Sequence, residues 1–208
     1  MNSEWLPVTP LHHEDRILTY GFCYLNLFSN FEYMQVVNRP PRTALEVFEL
    51  LPEGTLCEVI NNTIYMAPPP SSSHQRSVTT LSRLIGNHIE KLQLGEVFVS
   101  PIGVYFDNNN VFEPDLVFVS KENEHRVAAK GIIGAPDFII EILSPGNKQY
   151  DLTVKKDVYE HFGVKEYWVV NPETKEATGF TLVNNKYELL CQSVAKIASK
   201  YFDHEFEF

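Results

Sequence analysis

The sharpest contrast of apolar and polar positions lies in residues 134–172, GAPDFIIEILSPGNKQYDLTVKKDVYEHFGVKEYWVVNP. Phe138, Ile139, Ile140, Ile142 and Leu143 form a near-continuous apolar run, the pattern of a strand buried on both faces, and one carboxylate, Glu141, interrupts it. Ser144, Pro145, Gly146 and Asn147 stop that strand. From Asp151 the apolar spacing changes to four, with Val154, Val158 and Phe162 on one side, which predicts a helix closed by Gly163 and followed by a second strand. Lys155 lies one helical turn after Asp151, so a helix packed on the sheet can turn its ammonium back towards Glu141. A buried carboxylate without a partner is costly. The pairing of a strand carboxylate with a helix lysine is therefore the feature to explain.

Upstream, Thr43-x-x-Glu46 reads as a capping box ahead of a short helix carrying Leu45, Val47, Phe48, Leu50 and Leu51. Residues 56–60 and 63–66 read as a β-hairpin across Asn61-Asn62, with Glu58 in its first strand. The connector Pro68–Ser73 supplies an N-cap to a long helix whose inner face is Val78, Leu81, Ile85, Ile89 and Leu92. Three short strands are expected at 97–100, 104–106 and 116–119, with Asp107–Asn110 as a turn and Asp115 opening the third. Residues 120–133 read as a solvated excursion in which Lys121, Arg126 and Lys130 form an ordinary polar face or a phosphate-steering patch. A last hairpin, 178–183 with 187–191, precedes an edge strand in EFEF.

Residues 1–40 are expected to be a loosely attached extension. Their apolar run, ILTYGFCYLNLF, is too short to span a bilayer and follows acids rather than a basic region, and Met34 is a candidate functional start. His12 and His13 read as solvated loop residues. The 208 residues fit one domain with a sizeable core, residues 41–208, and 44% hydrophobic with 21% charged residues argues against disorder and membrane residence. The net charge of −10 opposes nonspecific attraction to nucleic acid or anionic lipid. Cys23, Cys57 and Cys191 lack metal-ligand spacing and point to free thiols in a reducing cytoplasm.

Glu58, Asp115, Glu141 and Lys155 fall on elements expected to share one sheet face. Two or three converging carboxylates suit Mg²⁺ or Mn²⁺, hard ions with oxygen ligands, and a nearby lysine can orient a metal-activated water. That chemistry hydrolyses phosphodiesters.

Pro114-Asp115, Glu141 26 residues later and a lysine close behind resemble the PD-(D/E)xK nuclease superfamily. More closely, EVINNTIYMAPPPSSSHQR, EPDLVFV, GAPDFIIEILSPGNKQYDLTVKK and YEHFGVKEYWVVNP look like the Uma-two family of restriction endonucleases, over residues 43–206. The resemblance implies a restriction-endonuclease-like α/β fold: a mixed central sheet flanked by the long helix and the lysine helix, with additional hairpins. It implies Asp115, Glu141 and Glu58 as metal ligands, with Lys155 rather than Lys156 positioning the water, because Leu143 occupies the superfamily's usual lysine position. Tyr159 would line the same cleft. His74 and Gln75 match the family segment after the prolines without an assigned role. Implied too are DNA as substrate and, by analogy with restriction enzymes, a homodimer. Pro136-Asp137 is a decoy: Asp137 is four residues before Glu141 on one strand and reads as a strand-opening residue.

Blander readings stand beside these. Glu141 can serve as one half of a structural ion pair with Lys155, and Glu58 as a solvated hairpin acid. The alternative functions are a noncatalytic binding or assembly module that keeps the fold, and a phosphohydrolase acting on a small substrate.

Overall fold

A computed structural model describes residues 39–144 and 150–208. The expected extension, with His12, His13 and Met34, lies outside the described residues except for its last two positions, as do Pro145, Gly146 and Asn147 of the expected loop.

Helix α1 (Ala44–Phe48) starts at Thr43, whose hydroxyl accepts from the Glu46 N–H. Only half of the expected capping box forms, because the Glu46 carboxylate accepts from the Arg42 N–H and the Arg39 guanidinium instead. Strands β1 (Cys57–Ile60) and β2 (Thr63–Met66) make the expected hairpin, with Asn61 and Asn62 both at positive φ. Helix α2 (Ser72–Leu92) is capped by Ser71. Its Val78, Leu81, Ile85 and Ile89 are buried as the spacing predicts, but Leu92 is 51% exposed. The helix ends there in a left-handed Gln93, and Leu94 folds back onto the core in its place.

Two six-stranded sheets follow from β3 (Gly95–Val99), β4 (Val104–Tyr105), β5 (Val111–Phe112), β6 (Leu116–Ser120), β7 (Val127–Ala128), β8 (Gly131–Ile133), β9 (Phe138–Ile142), β10 (Glu166–Val170), β11 (Glu176–Val183) and β12 (Lys186–Val194). One sheet has the order β2-β1-β5-β4-β8-β7 and the other β12-β11-β10-β9-β6-β3, while β13 (Lys196–Ser199) and β14 (His204–Glu207) pair separately. Each large sheet is mixed: β4 with β8 and β9 with β10 are parallel.

Two expectations are corrected here. Residues 120–133 are not a solvated excursion throughout, because a 3₁₀ turn (Lys121–Arg126) leads into β7 and β8 and buries Ile132 against β4. Lys121, Arg126 and Lys130 do not form one patch either, since Arg126 donates to the Ala135 carbonyl and Lys130 pairs with Glu49 over the Tyr105 ring. Strand β5, wholly buried, was hidden by its two-residue length behind the asparagine turn.

The second sheet divides the core. On one face Leu116, Phe118, Phe138, Ile140 and Ile142 meet α2 and the β13–β14 hairpin. On the other, Val117, Val119, Ile139, Tyr167 and Val169 meet the first sheet and the segment after residue 150. Trp168 is buried in the first layer because Gly179 opposite it has no side chain; a Cβ there would lie 2.6 Å from the indole. Leu81→Ala is expected to cost about 2–5 kcal/mol in urea unfolding, and Leu92→Ala less than about 0.5 kcal/mol. Equal losses would contradict the packing of α2.

Candidate active site around Lys155

The segment after residue 150 begins with a π-helical turn, Asp151–Lys155, and continues as α3 (Lys156–Phe162) to Gly163. The apolar stripe Val154, Val158 and Phe162 is only partly buried. The deepest stripe is its polar neighbour: Asp151, Lys155 and Tyr159, four residues apart. This corrects the expected inner face, and the side chains that meet the sheet explain it.

Alternation on β9 sends Ile140 and Ile142 towards α2 and Glu141 the opposite way. Glu141 Oε1 accepts from Lys155 Nζ at 3.0 Å and from the Tyr159 hydroxyl at 2.6 Å. From the other sheet, Glu58 on β1 reaches the same ammonium at 2.8 Å, and Asp151 stands 3.7 Å from it. Lys155, and not Lys156, thus faces the acids; Lys156 lies over the Phe180 ring. Asp115 immediately precedes β6, and the β6–β9 register, carried one residue further, sets it opposite Glu141. Its Oδ2 accepts from the Ile142 N–H at 2.7 Å and meets His74 Nε2 at 3.2 Å. The four expected residues therefore converge, Glu58 and Glu141 on the Lys155 ammonium and Asp115 beside Glu141. Among the described residues no three of His, Cys, Asp and Glu form a group ready to hold an ion.

Negative charge exceeds positive charge in this buried space. Burial pushes the Glu141 carboxyl upward against the pull of Lys155, and Asp151, Asp115 and Glu58 add to the rise. Asp151 is pushed up to about 6, first by burial and then by Glu58 and Asp115. Burial pulls Lys155 downward, but Glu141, Glu58 and Asp151 outweigh it, so the group stays an ammonium. Glu113, whose N–H donates to Glu58, is raised to about 7 by burial and then by Glu58. For His74, burial acts downward and the Asp115 hydrogen bond and charge reverse it.

A family model described as "Putative restriction endonuclease", Uma2, matches residues 45–196, well over half the chain. The chain belongs to the Uma2 family. A crystal structure of a "putative nuclease belonging to DUF820" from Anabaena variabilis is similar, with a TM-score of 0.64 at 21% identity, covering 78% of this chain and 92% of that one. That likeness is one of fold, and the expected restriction-endonuclease-like α/β class is borne out. No curated protein matches the chain.

Two residues of the cluster around Lys155 carried little signal in the sequence. Asp151 read only as a helix start, although its four-residue spacing from Lys155 was visible. His74, without an assigned role in the sequence, lies in the first turn of α2 and is buried against Asp115, a contact between sequence-distant segments that periodicity cannot show. Asp137 is a structural acid: it accepts from the Ser120 N–H and Asn123 and pairs with Lys165 just before β9.

Raised from 3.8 to about 6, Asp151 contributes most stability below pH 3.8, where both folded and unfolded states hold the proton, and loses it as pH rises through 6. In EDTA, Asp151→Asn should therefore gain stability over the wild type between about pH 4 and 7, on the order of 2 kcal/mol by urea titration. Parallel pH profiles would contradict the burial of that charge.

Proposed function

We propose that this Uma2 chain is a metal-dependent endonuclease that hydrolyses phosphodiester bonds of DNA, with its catalytic domain spanning residues 41–208. The observation that carries the reading is the excess of carboxylate over cation: Glu58, Glu141 and Asp151 share the single Lys155 ammonium, with Asp115 alongside. By its chemistry, though not by its present spacing, such a donor set suits a hard divalent ion. All its ligand atoms are oxygens, and beyond the effect of burial the neighbouring acids raise the proton affinity of Glu141 and Asp151 further, a sign of crowded negative charge. Asp115, Glu141 and Glu58 would hold Mg²⁺ or Mn²⁺. When bound, the ion supplies polarisation of a phosphoryl oxygen and a lowered pKa for a ligated water.

The remaining work falls to the chain's own side chains. Lys155, fixed by two carboxylates, orients the attacking water and stabilises charge developing on the phosphate. Tyr159 donates to Glu141 and holds one carboxylate oxygen in place. The Ile142 N–H and His74 do the same for Asp115.

A noncatalytic module is the second reading, favoured by the ion pairs that Lys155 already makes with the acids. The two part on cleavage. Purified protein should nick supercoiled plasmid in Mg²⁺ or Mn²⁺ and not in EDTA. Asp115→Ala and Glu141→Gln should abolish nicking while keeping the wild-type circular dichroism, and Lys155→Met should reduce it by at least about 10²-fold. Full activity in Asp115→Ala or Glu141→Gln, or no cleavage of either plasmid or single-stranded DNA by the wild type, would sink the nuclease assignment.

A further inference from the structure

Tyr65 is 46% exposed and its neighbour Met66 is 64% exposed, on β2, which forms one edge of the first sheet. The β1–β2 register places Tyr65 directly opposite Glu58. Opposed residues of an antiparallel pair share a face, so Tyr65 stands beside the acid that touches Lys155 at 2.8 Å. Its ring meets Tyr150 with centroids 5.8 Å apart and planes tilted by 45°. Tyr150 immediately precedes Asp151, and its hydroxyl is buried without a hydrogen-bond partner among the described residues. An aromatic pair, open on the Tyr65 side, therefore borders the charged centre. Neither ring is needed for the ion pairs.

Duplex DNA is held mainly through its phosphates by Lys and Arg. Among the described residues the candidate centre supplies only Lys155, already shared by three acids, in a chain of net charge −10. Affinity must come from another source. Stacking of unpaired bases on aromatic rings requires no positive surface and is worth about 1–3 kcal/mol per base on alanine substitution. Paired bases in a duplex cannot offer a face to a ring at a sheet edge.

We propose that Tyr65, backed by Tyr150, is a stacking site for an unpaired base, and that the substrate is single-stranded nucleic acid held next to the Glu58–Lys155 centre. This rests on the nuclease reading and adds the substrate's form.

The test is fluorescence anisotropy of labelled oligothymidylate, the same strand paired with oligodeoxyadenylate, and an abasic strand of equal length, with the full chain in Ca²⁺. The wild type should bind the single strand at least about tenfold more tightly than the duplex or the abasic strand. Tyr65→Ala should lose about tenfold on the single strand and nothing on the abasic one, while Tyr65→Phe stays within about twofold of wild type. Unchanged single-strand affinity in Tyr65→Ala, or equal binding of the abasic strand by the wild type, would overturn the stacking site. If plasmid is still nicked in that case and Glu141→Gln abolishes it, the nuclease reading stands alone. If the protein neither binds nor cuts any of these nucleic acids, both readings fall.

Discussion

The Lys155 ammonium, held out of water between Glu58 and Glu141 with Asp151 close by, is the contact on which the site's architecture depends. Each acid arrives from a different element: β1 of one sheet, β9 of the other and the turn preceding α3. None could be buried alone without a penalty of several kcal/mol, and breaking a buried pair leaves an uncompensated charge. The lysine thus ties the position of the first sheet to that of the second. Aromatic packing of Tyr159 against Phe106, Phe112 and Tyr167 backs the cluster and fixes the ring that donates to Glu141.

This arrangement explains why the lysine segment inverts the ordinary amphipathic rule. A surface helix normally buries its apolar stripe, yet here the polar stripe Asp151, Lys155 and Tyr159 lies deeper than Val154, Val158 and Phe162. The acids on the facing sheets make the polar stripe the better-satisfied one. The π-helical turn falls on the same residues, in keeping with the tendency of such turns to mark functional positions.

Much of the fold was legible because local signals agreed with the tertiary result. The Asn61-Asn62 turn, the Val78–Ile89 stripe and the near-continuous apolar run around Ile140 each named their element correctly. The misses share a cause: they depend on partners distant in sequence. Two-residue β5 has no periodicity to detect and is a strand only because β1 and β4 flank it. Residues 120–133 read as a solvated excursion because nothing local shows that β4 pairs with Ile132. At the site, family likeness pointed to Glu58, Asp115, Glu141 and Lys155, and the structure brings them together. The contacts of His74 with Asp115 and of Tyr65 with Tyr150 join segments far apart in the chain, so no spacing rule could have predicted them.

On the proposed function, the surplus carboxylate charge around Lys155 receives a divalent ion. Calorimetric titration of Mn²⁺ into the protein, in buffers of differing ionisation enthalpy, tests it most directly. Saturable binding should release protons near pH 6, because the raised Asp151 carboxyl beside the ion must give its proton up, and Glu141→Gln should remove the binding. Absence of Mn²⁺ binding by the wild type, or full binding by Glu141→Gln, would show that the acids serve the fold and nothing more.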